Sequence, residues 1–166
     1  MIKFLFGKAG SGKSHIGEMA SRSYGFHFHD ADRDLPDAFR KAMERGGGVT
    51  EKMRDEFAAI LIATIERLAS AHRDVCISQA LVRNRIRERI LQAVPSVELV
   101  WVDAPDDVIS ARLESRPDHI ASKPYAEMVN RLFEAPTVPH EKFVNDNDPV
   151  RFDAQMRAIF DARANR

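Results

Sequence analysis

The sequence predicts an α/β fold in which a parallel sheet is covered by helices on both faces. Short apolar runs alternate with longer segments of helical periodicity along the 166 residues. The runs are predominantly apolar and do not alternate strictly with polar residues, as expected for strands that are buried on both faces. A glycine-rich loop joins the first apolar run directly to the first helical segment. The length fits one domain, residues 1–166, with a substantial core.

The predicted strands are apolar runs bounded by polar or turn-forming residues. They comprise residues 2–6, 25–29, 75–78, 97–102 and 142–144. The third run contains Cys76, the only cysteine of the sequence, which we predict to be a buried thiol without a catalytic role. A single cysteine excludes a disulfide framework and a cysteine-based zinc cluster.

The clearest predicted helix spans residues 50–71, with Thr50 as a suitable N-cap. Apolar side chains recur along it at helical spacing and define one buried face. This face consists of Phe57, Ile60, Leu61, Thr64, Ile65 and Leu68. Pro105, followed by two aspartates, predicts the start of a later helix, and Pro149 predicts the start of the last one.

The glycine-rich loop matches the pattern G-x-x-x-x-G-K-[ST] in full. Its residues are Gly7, Lys8, Ala9, Gly10, Ser11, Gly12, Lys13 and Ser14. Glycines allow successive backbone N–H groups to converge on phosphates, and the following helix adds its N-terminal dipole. We therefore predict that the loop binds ATP and Mg²⁺. Lys13 is expected to bridge the β- and γ-phosphates, and the Ser14 hydroxyl is expected to ligate Mg²⁺.

Two carboxylates, Asp30 and Asp32, follow the second predicted strand. In a parallel sheet the end of this strand opens beside the phosphates. Phosphoryl transfer needs a carboxylate linked to Mg²⁺ and a catalytic base at that point. The GTPase patterns D-x-x-G and N-K-x-D do not occur in the sequence. The motifs therefore predict a phosphotransferase.

These motifs resemble those of a known family, the small P-loop kinases of sugar acids. The similarity is to gluconate kinases, with shikimate kinases as more distant relatives. Residues 30–32 match the family's D-x-D, and the segment from Pro36 to Arg54 follows the gluconate kinase pattern without a gap. Residues 78–81 resemble its C-S-A-L strand end, and residues 107–119 resemble its R-L-x-x-R-x-G-H lid segment.

The resemblance implies a P-loop NTPase fold, a three-layer αβα sandwich with a five-stranded parallel sheet. It also implies a helical substrate-binding region near residues 33–60 and a lid near residues 115–125. In this family pattern, Asp30 would hold Mg²⁺ through water, and Asp32 would accept the proton of the substrate hydroxyl. Arg54 would bind an anionic substrate group. A carboxylate is the expected group, because a guanidinium can pair with both of its oxygens.

The resemblance further implies that Arg112 and Arg116 lie over the phosphates when the lid closes. A basic run begins at Arg83 and continues to Arg89. Such a run is ordinarily a solvated helix face. Its start follows a strand end, so Arg83 is also a candidate to bind the substrate anion.

The sequence departs from the gluconate kinase pattern where the resemblance implies the substrate pocket. Apolar residues stand at several positions where the family has polar or larger ones. They are Leu35, Phe39, Met53, Phe57 and Val82. The sequence therefore predicts a kinase without specifying gluconate as its acceptor.

The predicted reaction is transfer of the γ-phosphate of ATP to a hydroxyl of a small, carboxylate-bearing molecule, gluconate-like or shikimate-like. Two alternatives stay open. One is a kinase of a nucleoside, a nucleotide or an antibiotic, and the other is a regulatory NTPase without a small substrate.

Charge and hydropathy limit the expected partners. The 25 basic and 25 acidic residues cancel, so we expect no nucleic-acid partner. No apolar stretch approaches the length of a membrane span, and the first strand leads directly into the glycine-rich loop. We therefore expect a cytoplasmic protein without a membrane partner. A homodimer stays open.

Overall fold

The computed structural model describes residues 1–115 and 123–161, and the side chain of residue 123 is not described. Within these residues the strands are β1 (Ile2–Phe6), β2 (His27–Asp30), β3 (Val75–Ser78), β4 (Val97–Asp103) and β5 (Glu141–Val144). They form one parallel sheet in the order β2-β3-β1-β4-β5. The predicted α/β class and the five-stranded parallel sheet are thus confirmed.

Helices connect the strands and cover both faces of the sheet. They are α1 (Lys13–Tyr24), α2 (Asp37–Glu44), α3 (Glu51–Ala71), α4 (Asn84–Ala93), α5 (Asp106–Glu114), α6 (Lys123–Arg131) and α7 (Pro149–Phe160), with a 3₁₀ turn at Ala31–Asp34. The predicted N-cap of α3 is confirmed, because the Thr50 hydroxyl accepts a hydrogen bond from the backbone N–H of Met53. None of the helices in the described ranges is long and apolar enough to cross a membrane.

Alternating side chains of β1 contribute to a core on each side of the sheet. Phe4 and Phe6 belong to a core that includes residues of α3 and α4. Leu5 points to the opposite face, into a core formed with α1 and α7. All three side chains are completely buried. Apolar side chains are therefore required on both faces of β1, and its one charged residue, Lys3, is buried in ion pairs with Glu98 and Glu141.

Two predictions about side-chain burial are wrong. Ile60 was assigned to the buried face of α3 but is 37% exposed, because its helical position lies at the margin of the apolar stripe. Arg87 was assigned to a solvated helix face but is completely buried. Its guanidinium lies between the rings of Phe6 and Phe133, at 4.6 and 4.7 Å from their centroids.

Candidate active site

A cavity of about 290 Å³ opens at the carboxyl ends of β1, β2 and β3. The glycine-rich loop and the start of α1 line one end of it, and α2, α3 and α6 line the other. Ligands of open parallel sheets bind in this position, at the carboxyl ends of the strands. The cavity is therefore the candidate active site.

The glycine-rich loop requires glycine at two positions for steric reasons. Gly7 and Gly12 both have positive φ angles. A Cβ atom at Gly7 would collide with the carbonyl oxygen of Val102, and one at Gly12 would collide with the side-chain amide of Asn145. The Lys13 ammonium donates hydrogen bonds to two carbonyl oxygens of the loop, at 3.0 and 2.8 Å. The loop thus has the backbone form of a phosphate cradle, with its lysine directed onto it.

Ser14 and Asp30 meet at the start of α1. The Ser14 hydroxyl donates a hydrogen bond of 3.1 Å to one carboxylate oxygen of Asp30, which is the last residue of β2. Hydroxyl and carboxylate oxygens are suitable ligands for Mg²⁺, which usually takes one or two protein ligands together with substrate phosphates and water. This donor set beside the phosphate cradle therefore fits the predicted Mg²⁺ site.

Asp32 lies in the 3₁₀ turn after β2 and lines the cavity. One of its carboxylate oxygens accepts a hydrogen bond of 3.2 Å from the side-chain amide of Gln79. The amide oxygen of Gln79 in turn accepts a hydrogen bond of 2.8 Å from the backbone N–H of Leu81. Gln79 was not predicted as a site residue. Its position directly after β3 was the available signal, because the ends of adjacent parallel strands lie side by side.

Arg54 extends from α3 to the far end of the cavity, with 10% of its side chain exposed. Its Nε–H has no hydrogen-bond partner among the described residues. The nearest carboxylate oxygen, from Glu51, lies 3.4 Å away without hydrogen-bond geometry. Burial lowers the pKa of Arg54, although Tyr125 and Glu51 oppose this shift. A largely buried guanidinium with an unmatched donor is suited to bind an anion.

Tyr125 of α6 lies close enough to Arg54 and Asp32 to be influenced by both charges. Burial raises the pKa of Tyr125, and Asp32 raises it further while Arg54 lowers it. Tyr125 is 4% exposed and lines the cavity. No sequence motif pointed to this residue, which reaches the site through the packing of α6.

Arg83 lines the same cavity but already interacts with two carboxylates. Its guanidinium lies 3.1 Å from Glu134 and 3.4 Å from Glu51. These ion pairs fix the guanidinium and offset its charge. The structure thus brings Arg83 to the site, but in an environment different from that of Arg54.

Arg112 contacts the glycine-rich loop from α5. It donates hydrogen bonds to the carbonyl oxygens of Gly10 and Ser11, at 3.4 and 3.2 Å. It also donates to the side-chain oxygen of Asn147, at 2.7 Å. Arg112 therefore connects the loop to the segment after β5. Arg116, predicted to act beside it, lies outside the described residues, as does most of the predicted lid.

Asn130 of α6 is a further contact to the glycine-rich loop. Its side-chain oxygen accepts a hydrogen bond of 2.8 Å from the backbone N–H of Ala9, and its amide donates one of 3.1 Å to the carbonyl of Ala9. The sequence contains no signal for this contact, because the two residues are 121 positions apart. The paired bonds hold the loop against α6.

Comparisons with known proteins agree with this fold. A family model described as an AAA domain matches residues 2–134. A shikimate kinase of Chlorobaculum parvum is 31% identical over 132 residues, which cover 77% of this chain and 67% of that protein.

Solved kinase structures share the architecture. A sugar kinase from Janibacter sp. HTCC2649 has a TM-score of 0.83 at 23% identity, covering 98% of this chain and 95% of that one. A gluconokinase from Sinorhizobium meliloti 1021 has a TM-score of 0.76 at 21% identity, covering 99% and 95%. The fold and the glycine-rich loop thus define a P-loop nucleotide-binding protein. The chain belongs to the matched AAA-domain family and is one of the small P-loop kinases.

Proposed function

We propose that this protein transfers the γ-phosphate of ATP to a hydroxyl group of a small, carboxylate-bearing molecule. The proposal rests mainly on one observation. The phosphate loop, Asp32 and Arg54 all line the same cavity. A carboxylate bound to Arg54 would bring the body of the acceptor between the guanidinium and the loop. Its hydroxyl would then lie within reach of Asp32. The names of the similar proteins support the same reaction class.

The loop and Lys13 would bind the ATP phosphates and offset their charge as transfer proceeds. The loop N–H groups are oriented by the fold before the phosphates bind, so little reorganisation is needed. Ser14 and Asp30 would hold Mg²⁺, which neutralises charge on the β- and γ-phosphates when bound. Arg112 would support the loop from α5, and Arg116 is proposed as the lid cation above it.

Asp32 would accept the proton of the acceptor hydroxyl. Its hydrogen bond from Gln79 restricts the orientation of the carboxylate, and Gln79 is itself fixed by the backbone of Leu81. Asp32 would thus act from a defined position, which general base catalysis requires. Arg54 would orient the acceptor. Arg83 is proposed as a second contact to the acceptor, from a position fixed by its ion pairs with Glu134 and Glu51.

The proposal is tested by measuring ADP release in the presence of different acceptors. The panel contains gluconate, shikimate, other hydroxy acids and adenosine, each with ATP and Mg²⁺. We expect at least one hydroxy acid to stimulate ADP release well above the rate with ATP alone. Stimulation by the nucleoside alone would instead indicate a nucleoside kinase. Slow ADP release that no acceptor changes would indicate a regulatory NTPase.

A further inference from the structure

The acceptor end of the cavity has mostly apolar walls. We call this end, between Asp32 and α3, the acceptor pocket. Its walls include Leu35, Phe39, Phe57, Leu61, Val82 and Ile86, each at most 6% exposed. The rings of Phe39 and Phe57 pack against each other with centroids 5.6 Å apart. Four of these six positions are ones where the sequence departs from the gluconate kinase pattern. These departures therefore converge on one surface.

Two polar side chains of the acceptor pocket, Gln79 and Arg83, already hold protein partners, and the phenol of Tyr125 is a further polar group in the lining. Gln79 uses its amide nitrogen on Asp32 and its amide oxygen on Leu81. Arg83 pairs with two carboxylates. Arg33 lines the cavity with an exposed side chain and so lies at the solvent side. Arg54 is the group whose buried Nε–H has no hydrogen-bond partner among the described residues.

We infer that the acceptor is a monocarboxylate with a largely apolar body and few hydroxyl groups, rather than a polyhydroxylated sugar acid. This inference rests on the proposed function. The carboxylate binds Arg54, the apolar body contacts the walls, and one hydroxyl faces Asp32. In the transfer step the hydroxyl oxygen bonds to the γ-phosphorus and its proton passes to Asp32. The bond from the γ-phosphorus to the β,γ-bridging oxygen breaks, and ADP leaves.

The discrimination follows from the hydrogen bonds that extra hydroxyls would lose. A hydroxyl that leaves water for an apolar wall gives up its hydrogen bonds without replacement. An apolar pocket rejects one additional hydroxyl by roughly tenfold to a hundredfold in kcat/KM. The guanidinium adds a second requirement, because a neutral acceptor is a weaker partner than a carboxylate for the buried, unmatched Nε–H.

Matched acceptors test the inference directly. The first pair is 4-hydroxycyclohex-1-enecarboxylate and shikimate, which share a carboxylated cyclohexene ring and differ in hydroxyl content. The second pair is 6-hydroxyhexanoate and gluconate, which share a chain length. We expect the monohydroxylated member of at least one pair to have a kcat/KM about tenfold or more above that of its partner. Its carboxamide analogue should be a poorer acceptor, and Arg54→Met should remove this difference between carboxylate and carboxamide.

A nearly isosteric substitution tests the wall itself. Val82→Thr adds a hydroxyl to the acceptor pocket with little change in shape. We expect it to shift the preference toward the polyhydroxylated member by about threefold to tenfold. Val94→Thr is the matched control. Val94 is 9% exposed in the core near the end of α4 and does not line the cavity, so this variant should leave the preference unchanged.

The outcomes separate this inference from the proposed function. Equal or faster turnover of shikimate and gluconate in both pairs would overturn the inference and leave the proposed function intact. Indifference to the carboxamide replacement would overturn the inference together with the carboxylate requirement of the proposed function, whereas transfer to a hydroxyl would still stand. If no hydroxy acid of any kind is phosphorylated, the proposed function fails and the inference fails with it.

Discussion

At the scale of single residues, we assign a catalytic role to Asp32 and a positioning role to Gln79, which contacts it. We expect Asp32→Asn to lower kcat by about 10²–10⁴-fold, because the acceptor hydroxyl loses its proton acceptor. Gln79→Ala leaves the carboxylate in place but removes its 3.2 Å hydrogen bond. It should therefore lower kcat by only about tenfold. Steady-state kinetics with the best acceptor, alongside ATP binding, checks both values. A loss of ATP affinity without a loss of kcat in Asp32→Asn would instead place Asp32 in the metal site.

Arg87 is a buried cation that we expect to stabilise the fold. It donates hydrogen bonds to the carbonyls of Leu81 and Glu134, at 2.8 and 2.9 Å, between two aromatic rings. Burial lowers the pKa of Arg87 to about 10, and Glu134 partly opposes the shift. Arg87→Ala should reduce the free energy of unfolding by about 3–5 kcal/mol, because it leaves a cavity and unmatched carbonyls.

Denaturant unfolding of the Arg87 variant has a matched control on the same helix. Arg89 is exposed and donates a hydrogen bond to the carbonyl of Asp55. Arg89→Ala should cost less than about 1 kcal/mol. Equal unfolding free energies for the two variants would refute a structural role for Arg87.

Because of two stacked histidines, we expect the folding stability of the protein to depend on pH. The rings of His27 and His72 lie parallel with centroids 3.7 Å apart. Burial lowers the pKa of His27 below its ordinary value of 6.5, and the charges of His72, His29 and Arg67 lower it further. The unfolded chain therefore binds this proton more readily than the folded one. The stability contributed by His27 is present above about pH 6.5 and is lost as the pH falls through its folded pKa.

Thermal unfolding between pH 7.5 and about pH 5 measures this effect. The fall in Tm over this range should be smaller in His27→Gln than in the wild type. His15→Gln, a change at an exposed position of α1, should keep the wild-type slope. An unchanged slope in His27→Gln would show that other groups cause the acid sensitivity.

At the scale of elements, α6 connects the phosphate loop to the acceptor pocket. Asn130 holds Ala9 of the loop through two hydrogen bonds. Tyr125, Ala126 and Val129 on the same helix line the cavity. A movement of α6 would therefore affect both substrates at once.

Substitutions of Asn130 test this connection. Asn130→Ala removes both bonds to the loop and should weaken ATP binding by about fivefold to thirtyfold. It should also raise the KM of the acceptor, because α6 is less well fixed. Asn130→Asp keeps the acceptor for the Ala9 N–H but places a carboxylate against the Ala9 carbonyl and beside the phosphate site, so it should weaken ATP binding at least as much. Glu127→Ala, an exposed change on the same helix, is the control. Normal ATP affinity in Asn130→Ala would exclude a role of the two Asn130–Ala9 hydrogen bonds in nucleotide binding.

At the scale of the whole molecule, the predictable features are those that depend on local sequence. The strands were recognisable because a sheet covered on both faces needs predominantly apolar runs without strict alternation, as in β1. The phosphate loop was recognisable because its glycines meet steric demands, and Ser14 and Asp30 do lie together. The second strand extends one residue further than predicted, so Asp30 ends it rather than follows it.

Features that depend on distant packing were not predictable. The sequence pattern around Arg87 is typical of an exposed helix face. Only the fold places its guanidinium between Phe6 and Phe133. Asn130 has no motif, because its partner is brought to it only by the fold. The acceptor pocket was predicted only as a region near residues 33–60. That region supplies Leu35, Phe39, Arg54 and Phe57 to the cavity, while the segment after β3, α4 and α6 supply further lining residues. The single-domain extent and the lid near residues 115–125 stay predictions.

The central claim is that phosphate passes from ATP to an acceptor hydroxyl at one site formed by the loop, Asp32 and Arg54. The most direct test incubates the protein with ATP, Mg²⁺ and the acceptor that most stimulates ADP release, and measures every phosphorus product by ³¹P NMR. We expect a phosphorylated acceptor formed in equal amount to ADP. Lys13→Ala should abolish this product, whereas the exposed change Lys52→Ala should not. Phosphate that appears only as the free inorganic ion, at a rate that no acceptor alters, would contradict the account.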